Sequence, residues 1–432
     1  ATVGRAHVAK IVRVPPSCRP CCPRLTCKRM GGEFAVDQHP GGTPVERSVL
    51  ATPVRIGIVG LGQRALQHLK CLWGIPAAEI VALCDPFPEN LEEEKLQGYV
   101  DGFTLGEIRT HTSFTDMLDA GGLDAVYFCI PPNRHDGEVI ASAKAGLGIF
   151  AEKPVSLYYD EAVEMDQAIT ASGVIACVGF NQRHVPNHEA IRDFVQDKRL
   201  VMATTVTNGT LESHSVKHTR TEDLGGPGNR VWAASAAWSG TTVVEAGIHQ
   251  LDTMRYWAGD VTWVRADYVH RHADDIEDGG DNPYAYSVTF GFESGLVYNL
   301  LMSRLRKTFY GDGYSDLMWD RGHLKIEGGS PVAYYYEGPY PPQTQPSQQD
   351  LRHEIHVPEP TRDGTRHISE CFVRAVASGD GSIMRNTFHS SMNSHAAVLA
   401  ANASDQLGGQ KIDLNSFARD AEYARFRTKP ST

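Results

Sequence analysis

Val54-Arg-Ile-Gly-Ile-Val59 is a short apolar run, rich in β-branched residues and bounded by Pro53, that leads straight into Gly60-Leu-Gly62-Gln63-Arg64-Ala65. Leu66, Leu69 and Leu72 then recur at helical spacing. Strand, glycine turn and helix in this order constrain the chain more than any other feature. Gly60 permits a tight turn, Gly62 lets backbone approach a pyrophosphate, and Ala65 is small enough for helix to pack on strand. The helix N-terminus then offers unpaired N–H groups to phosphate oxygens. G-x-G-x-x-A alone is a weak signal; the flanking strand and helix supply the context it needs. Gln63 and Arg64, inside the motif, join Gly60 and Gly62 as cofactor-binding candidates.

More strand–helix units follow. Glu79-Ile-Val-Ala-Leu-Cys-Asp85 ends in an acid where a second strand meets the adenosine ribose. A carboxylate there accepts hydrogen bonds from ribose hydroxyls and repels a 2′-phosphate, so Asp85 favours NAD over NADP. The competing reading is that Asp85 only opens the Asp-Pro turn with Pro86. Residues 124–130 form a buried-type strand that ends in Pro131-Pro-Asn133-Arg-His135. A helix over about 136–145 leads to a strand at Gly148-Ile-Phe-Ala-Glu152. Such alternation predicts right-handed crossovers and a parallel sheet, with ligands outside the carboxyl ends of its strands. Ile130, Pro131, Asn133, His135, Glu152 and Lys153 lie at those ends and should border the nicotinamide half of a cofactor.

Length and composition narrow the field further. At about 150 residues per domain, 432 residues predict two or three domains. The 41 Lys+Arg against 52 Asp+Glu give a net charge of −11, which argues against non-specific nucleic-acid binding. No apolar run approaches the ~20 residues that span a bilayer. Cys71, Cys84, Cys129, Cys177 and Cys371 are scattered singly, several in apolar runs, which suggests reduced thiols and a cytoplasmic protein. Residues 1–30 differ: they hold seven basic residues, no Asp or Glu, and Cys18, Cys21, Cys22 and Cys27. Adjacent Cys21 and Cys22 between prolines make a poor zinc frame, and the prolines spoil a targeting helix. The segment reads as a disordered or artefactual extension. The expected organisation is an extension over 1–52, a dinucleotide-binding domain over 53–177 and a second α/β domain over 178–432.

A predicted helix from Thr242 to Ala258 carries further chemistry. Val244, Ile248 and Leu251 make an apolar stripe, while Glu245, His249, Asp252 and Tyr256 share the polar face. A histidine with an acid one turn away is an oriented, tuned proton acceptor. A hydrogen-bonded core histidine or a solvated face fits the same spacing. The helix has no second histidine at i+4, so no metal is expected. Arg183, His184, Trp232 and Trp238 are candidates for a polyhydroxyl pocket, since aromatic faces and guanidinium forks suit such ligands.

Gly60-x-Gly62-x-x-Ala65, Pro131-Pro-Asn-Arg-His135, Glu152-Lys153-Pro154, Gly179-Phe-Asn-Gln-Arg183 and Glu245-Ala-Gly-Ile-His249-Gln-Leu-Asp252 follow one another in this order. In these motifs, from about Val54 to Leu414, the chain resembles the Gfo/Idh/MocA family. The resemblance implies an α/β fold: an N-terminal Rossmann domain, then an α/β domain with a large open, mixed, mostly antiparallel sheet that makes oligomer contacts. Strands at Met202–Thr207 and Trp263–Val269, a hairpin around Glu293-Ser-Gly295, and a final helix from Ser391 to Leu407 suit that second domain. It also implies NAD as cofactor, a carbohydrate or polyol substrate, and a homo-oligomer, a dimer or tetramer. Lys153 matches the family's catalytic lysine and His249 its general base, with Glu245 beside them. Lys153, Arg183, Trp232, Glu245 and His249 would then meet substrate. Glu245 departs from the aspartate usual at its position, and Ser239-Gly-Thr-Thr-Val-Val244 replaces a glycine-rich run, which alters the expected substrate contacts.

Three functions are compatible with these residues. The first is NAD-dependent oxidation of a sugar, sugar derivative or cyclitol. The second is an NAD-dependent glycosidase that oxidises C3 transiently, eliminates the aglycone and returns the hydride. The third is a non-catalytic sensor, against which the retention of both Lys153 and His249 speaks.

Overall fold

The computed structural model describes residues 52–210, 232–276, 280–305, 311–327 and 329–430. The N-terminal extension, with its four cysteines, lies outside them. β1 (Val54–Val59), β2 (Ala78–Cys84), β3 (Arg109–His111), β4 (Ala125–Phe128), β5 (Gly148–Ala151) and β6 (Ala176–Val178) form one sheet in the order β3-β2-β1-β4-β5-β6. Every neighbouring pair is parallel. The chain reverses its direction of winding between β1 and β4, so a crevice opens above their carboxyl ends.

The strands at the middle of this sheet are mostly apolar because both faces are covered; β4 (AVYF) and β5 (GIFA) are buried at every residue. Ile56, Ile58 and Tyr127 pack toward Leu66 and Leu69 of α1 (Gln63–Trp73), while Val126, Phe128 and Ile149 face Val139 and Met165 on the other side. One covering helix comes from far along the chain: Gly364–Ser378 packs on this sheet through Ile368, Phe372 and Val373. The division expected at residue 177 thus falls inside β6, and the first layer borrows a helix from the C-terminal part.

β7 (Leu200–Thr210), β8 (Val261–Val269), β9 (Ala285–Phe292), β10 (Val297–Leu305), β11 (Asp312–Trp319), β12 (Gly322–Glu327), β13 (Ser330–Tyr335), β14 (Arg352–Glu354) and β15 (Ile412–Asp413) build a second sheet. Its order is β14-β13-β12-β11-β7-β10-β9-β8-β15. Only β7 and β10 pair in parallel; the other neighbours are antiparallel. The sheet is therefore mixed and mostly antiparallel, as expected, and the hairpin around Gly295 joins β9 to β10. Ile248, Leu251 and Met254 of the helix Ile248–Ala258 bury Val264, Val288, Phe290, Leu300 and Met302 on one face. On the other, Leu301 and Tyr314 flank Val206 in neighbouring register, and both are exposed. Among the described residues no helix is long and apolar enough to cross a membrane, and all five cysteines are free thiols.

Candidate active site

The turn after β1 has the shape a dinucleotide needs. Gly60 holds φ at +82°, and a Cβ there would lie 2.6 Å from the Cys129 carbonyl oxygen, so only glycine fits. Gly62 caps α1 without a side chain, and the first turn carries no acid. The helix N–H groups and the positive end of the helix dipole are thus left for an anion. Across the crevice, the Asn133 Oδ1 is buried without a hydrogen-bond partner among the described residues. The residues present therefore fit NAD, whose phosphates Gly60–Gln63 would hold, with Ile130–Asn133 opposite them.

Asp85 is turned inward. Its carboxylate accepts from the N–H of Leu61 at 2.7 Å, the N–H of Phe87 at 3.0 Å and the side-chain amide of Asn90 at 2.9 Å. It ties the glycine turn to the end of β2, which uses most of the acceptor capacity that was expected to meet ribose.

Below the crevice floor lies a buried ion cluster. The Glu152 carboxylate accepts from Arg64 Nε at 2.8 Å and from the Lys153 backbone N–H at 3.2 Å, and meets His68 Nε2 at 2.7 Å. Burial alone would raise Glu152; the Arg64 cation, with His68 and Lys153, instead holds it well below the ordinary carboxylate range. The glycine of the Gly179-Phe-Asn-Gln-Arg183 motif makes room for this carboxylate, since a Cβ there would stand 2.5 Å from Glu152 Oε1. Glu152 and Arg64, both expected to touch cofactor, bind each other.

Lys153 follows β5 and reaches across to the second layer. Its ammonium donates to Glu245 Oε1 at 2.9 Å and to the Glu245 carbonyl oxygen at 2.7 Å, a contact between residues 92 apart in sequence. Glu245 lies in a π turn, Val243–Gly247, that runs into the helix Ile248–Ala258. Thr241 opens this turn at φ +135°, fixed by its hydroxyl bond to Asn402 at 2.9 Å. His249 begins the next turn. Burial, and then the Lys153 cation, push its pKa down to about 3, against the opposing pull of Glu152 and Glu245. The imidazole is neutral at ordinary pH, and it borders a cavity of about 300 Å³ shared with His188, Thr205, Gln250, Ser315 and Trp257.

A model of the oxidoreductase family with an NAD-binding Rossmann fold matches residues 54–180, and the Gfo/Idh/MocA C-terminal domain model matches residues 205–325. The myo-inositol 2-dehydrogenase of Thermotoga maritima is 28% identical over 260 residues, 60% of this chain and 70% of that protein. The inositol 2-dehydrogenase of Rhizobium meliloti is 26% identical over 288 residues, 65% of this chain and 77% of its own. The crystal structure of myo-inositol 2-dehydrogenase from Lactobacillus plantarum superposes with a TM-score of 0.63 at 20% identity, covering 84% of this chain and 99% of that one. The chain belongs to the Gfo/Idh/MocA family.

This Gfo/Idh/MocA protein is an oxidoreductase with an NAD-binding Rossmann domain, of a family whose members act on sugars and cyclitols. Several side chains nevertheless stand elsewhere than the sequence suggested. Asp252 does not orient His249: its carboxylate accepts from Arg183 at 2.7 and 2.8 Å and from the Ser394 hydroxyl at 2.9 Å. His249 and Asp252 both lie in the regular helix Ile248–Ala258, but Asp252 is on its buried side, where the Arg183 guanidinium takes it. Arg183, a candidate for the substrate pocket, is part of a buried pair. His135 pairs with Glu138, Trp238 is buried beside Arg134, and His184 is buried against His367. Trp232 opens a 3-10 turn, and its side chain lies outside the described residues. His68 was missed. Its place one turn after Arg64 on α1, polar among Leu66, Leu69 and Leu72, was the available signal.

Proposed function

We propose that the chain is an NAD-dependent dehydrogenase of a sugar, sugar derivative or cyclitol, with Lys153 and His249 at the reacting hydroxyl. The contact between the Lys153 ammonium and Glu245, one turn before His249, supports this reading most. It gathers a cation and an anion near a neutral imidazole that itself borders a cavity, at the carboxyl end of the parallel sheet. Bound NAD supplies the hydride acceptor. Lys153 donates a hydrogen bond to the substrate oxygen and stabilises negative charge on it as the C–H bond breaks. Glu245 fixes the ammonium by its carboxylate and its backbone carbonyl. His249 accepts the hydroxyl proton. The hydroxyl becomes far more acidic as the C–H bond breaks, so a base of low proton affinity still takes its proton in the same step, before positive charge builds on the oxygen. The Glu152 carboxylate adds a fixed negative charge near the Lys153 ammonium. In the same reading the chain works as a homo-oligomer, with Leu301, Val206 and Tyr314 of the open sheet face meeting a second copy.

A screen of free sugars, cyclitols and aryl glycosides with NAD, recording NADH absorbance and product release together, tests the reaction. NADH accumulation with a free polyol is the expected result. Release of aglycone without NADH would replace the dehydrogenase by a glycosidase using transient oxidation. Lys153→Ala should bind NAD nearly as the wild type does yet lose most turnover; unchanged turnover would refute the assignment.

A further inference from the structure

His184 ends the 3-10 turn Asn181–His184, while His367 and Cys371 stand one turn apart on the helix Gly364–Ser378. None of the three takes part in the site above. The two segments are pressed together: a Cβ on Gly364 would lie 2.8 Å from the Asn181 carbonyl oxygen. His184 Nδ1 is 3.2 Å from His367 Nδ1, and Cys371 Sγ is 3.9 Å from His367 Nε2. One ligand atom from each residue lies within 4.8 Å of the other two. His184 and Cys371 are buried and His367 is partly exposed. The His184 Nε2 is buried without a partner among the described residues. An orphaned buried polar atom calls for a physical cause, and a missing ion or water is among the few known.

We propose that His184, His367 and Cys371 bind one thiophilic, closed-shell metal cation, with zinc(II) as the test ion, at a site distinct from the Lys153–Glu245–His249 centre. Two imidazoles and a thiol, with no carboxylate, select soft or borderline metals over magnesium or calcium. With those three ligand atoms within 4.8 Å of one another, side-chain shifts of about 1 Å bring them to zinc-ligand distance. On binding, the Cys371 thiol gives its proton to solvent and the thiolate sulfur bonds the metal. Each imidazole keeps its single proton on the nitrogen that does not bind the metal, and water from the exposed side of His367 fills the fourth position. The nearby guanidiniums already have anions: Arg183 holds Asp252, and Arg362 and Arg385 share Glu189. The expectation of no metal was argued from the helix Thr242–Ala258 and did not reach this cluster. Metal here would tie the turn after β6 to the helix that covers the first sheet.

The test uses the reduced full-length chain, stripped with a chelator. Zinc(II) is titrated against a chromophoric chelator, and cobalt(II) is followed by its thiolate charge-transfer absorption. One equivalent should bind, raise Tm and give the thiolate band. Both signals should vanish in Cys371→Ser and in His367→Ala, and persist when Cys18, Cys21, Cys22 and Cys27 are all changed to Ser. Absence of competition at micromolar zinc, survival of the band in Cys371→Ser, or its loss in the fourfold N-terminal variant would each overturn the proposal. Should Cys371→Ser not fold, the partly exposed His367→Ala carries the same decision.

Discussion

The two sheets meet at one site but are built on opposite terms. The six-stranded sheet is covered on both faces, so its four central strands are mostly apolar, broken only by exposed Arg55 and Glu79 near the strand starts. The nine-stranded sheet buries one face under helices and leaves Val201, Met202, Leu301 and Tyr314 exposed on the strands of its centre. Burial on two sides makes a strand legible from its own residues; burial on one side spreads the signal over alternate positions and neighbouring strands. The first sheet contributes the lysine at a strand end, where topology fixes it. The second contributes Glu245 and His249 from a π turn, where packing fixes them.

The largest effects should come from separating these halves. Lys153→Ala is expected to lower kcat by about 10²–10³, and His249→Ala by about 10²–10⁴. If both act in one step, the double variant loses much less than the product of the two. Steady-state kinetics giving a fully multiplicative loss would instead make the two sheets independent contributors.

Next in size are the buried ion clusters, one under each half. Glu152→Ala strands Arg64 and His68, and Arg183→Ala strands Asp252; each should cost about 3–5 kcal/mol in urea unfolding. A loss confined to one of them would show that only that half relies on its cluster.

Buried histidines sharpen the comparison through pH. Burial, aided by a neighbouring cation at His249, holds both His249 and His395 at about 3. The unfolded chain protonates them near 6.5 and so binds more protons between those values, and stability falls as pH drops below about 6.5. By about pH 5 each should have removed about 2 kcal/mol. Both nitrogens of His395 are buried without partners among the described residues. His395→Leu should therefore raise stability at about pH 7 by about 1–2 kcal/mol and flatten the acid decline, as read by urea unfolding at the two pH values. The smallest effect belongs to the open face: Leu301→Lys with Tyr314→Lys should change stability by less than about 0.5 kcal/mol per site. Sedimentation should nonetheless shift toward the monomer; an unchanged oligomer would place the contact elsewhere.

The sequence carried the first domain nearly whole. Val54–Leu72 announces strand, turn and helix because each step is local: β-branched residues, two glycines and a 3.6-residue apolar period. Asp85 shows where locality ends. Its position at the end of β2 was readable, but its hydrogen bonds to Leu61 and Asn90 depend on how the turn folds back. Likewise the Glu245–His249 spacing was visible, while the π turn, opened by Thr241 at positive φ and bonded to Asn402, was not. No local preference favours a threonine there; the contact with Asn402, 161 residues away, holds it.

The amino-acid order by itself thus determined the dinucleotide turn, the parallel strands and the residue types at the proposed catalytic positions, because backbone periodicity and glycine conformations act over a few residues. Only the tertiary structure decided which charge faces which: Glu152 to Arg64 and His68, Asp252 to Arg183, Lys153 to Glu245. Pairing of buried charges is set by which groups are removed from water together, and that is a property of two packed layers, not of any one segment.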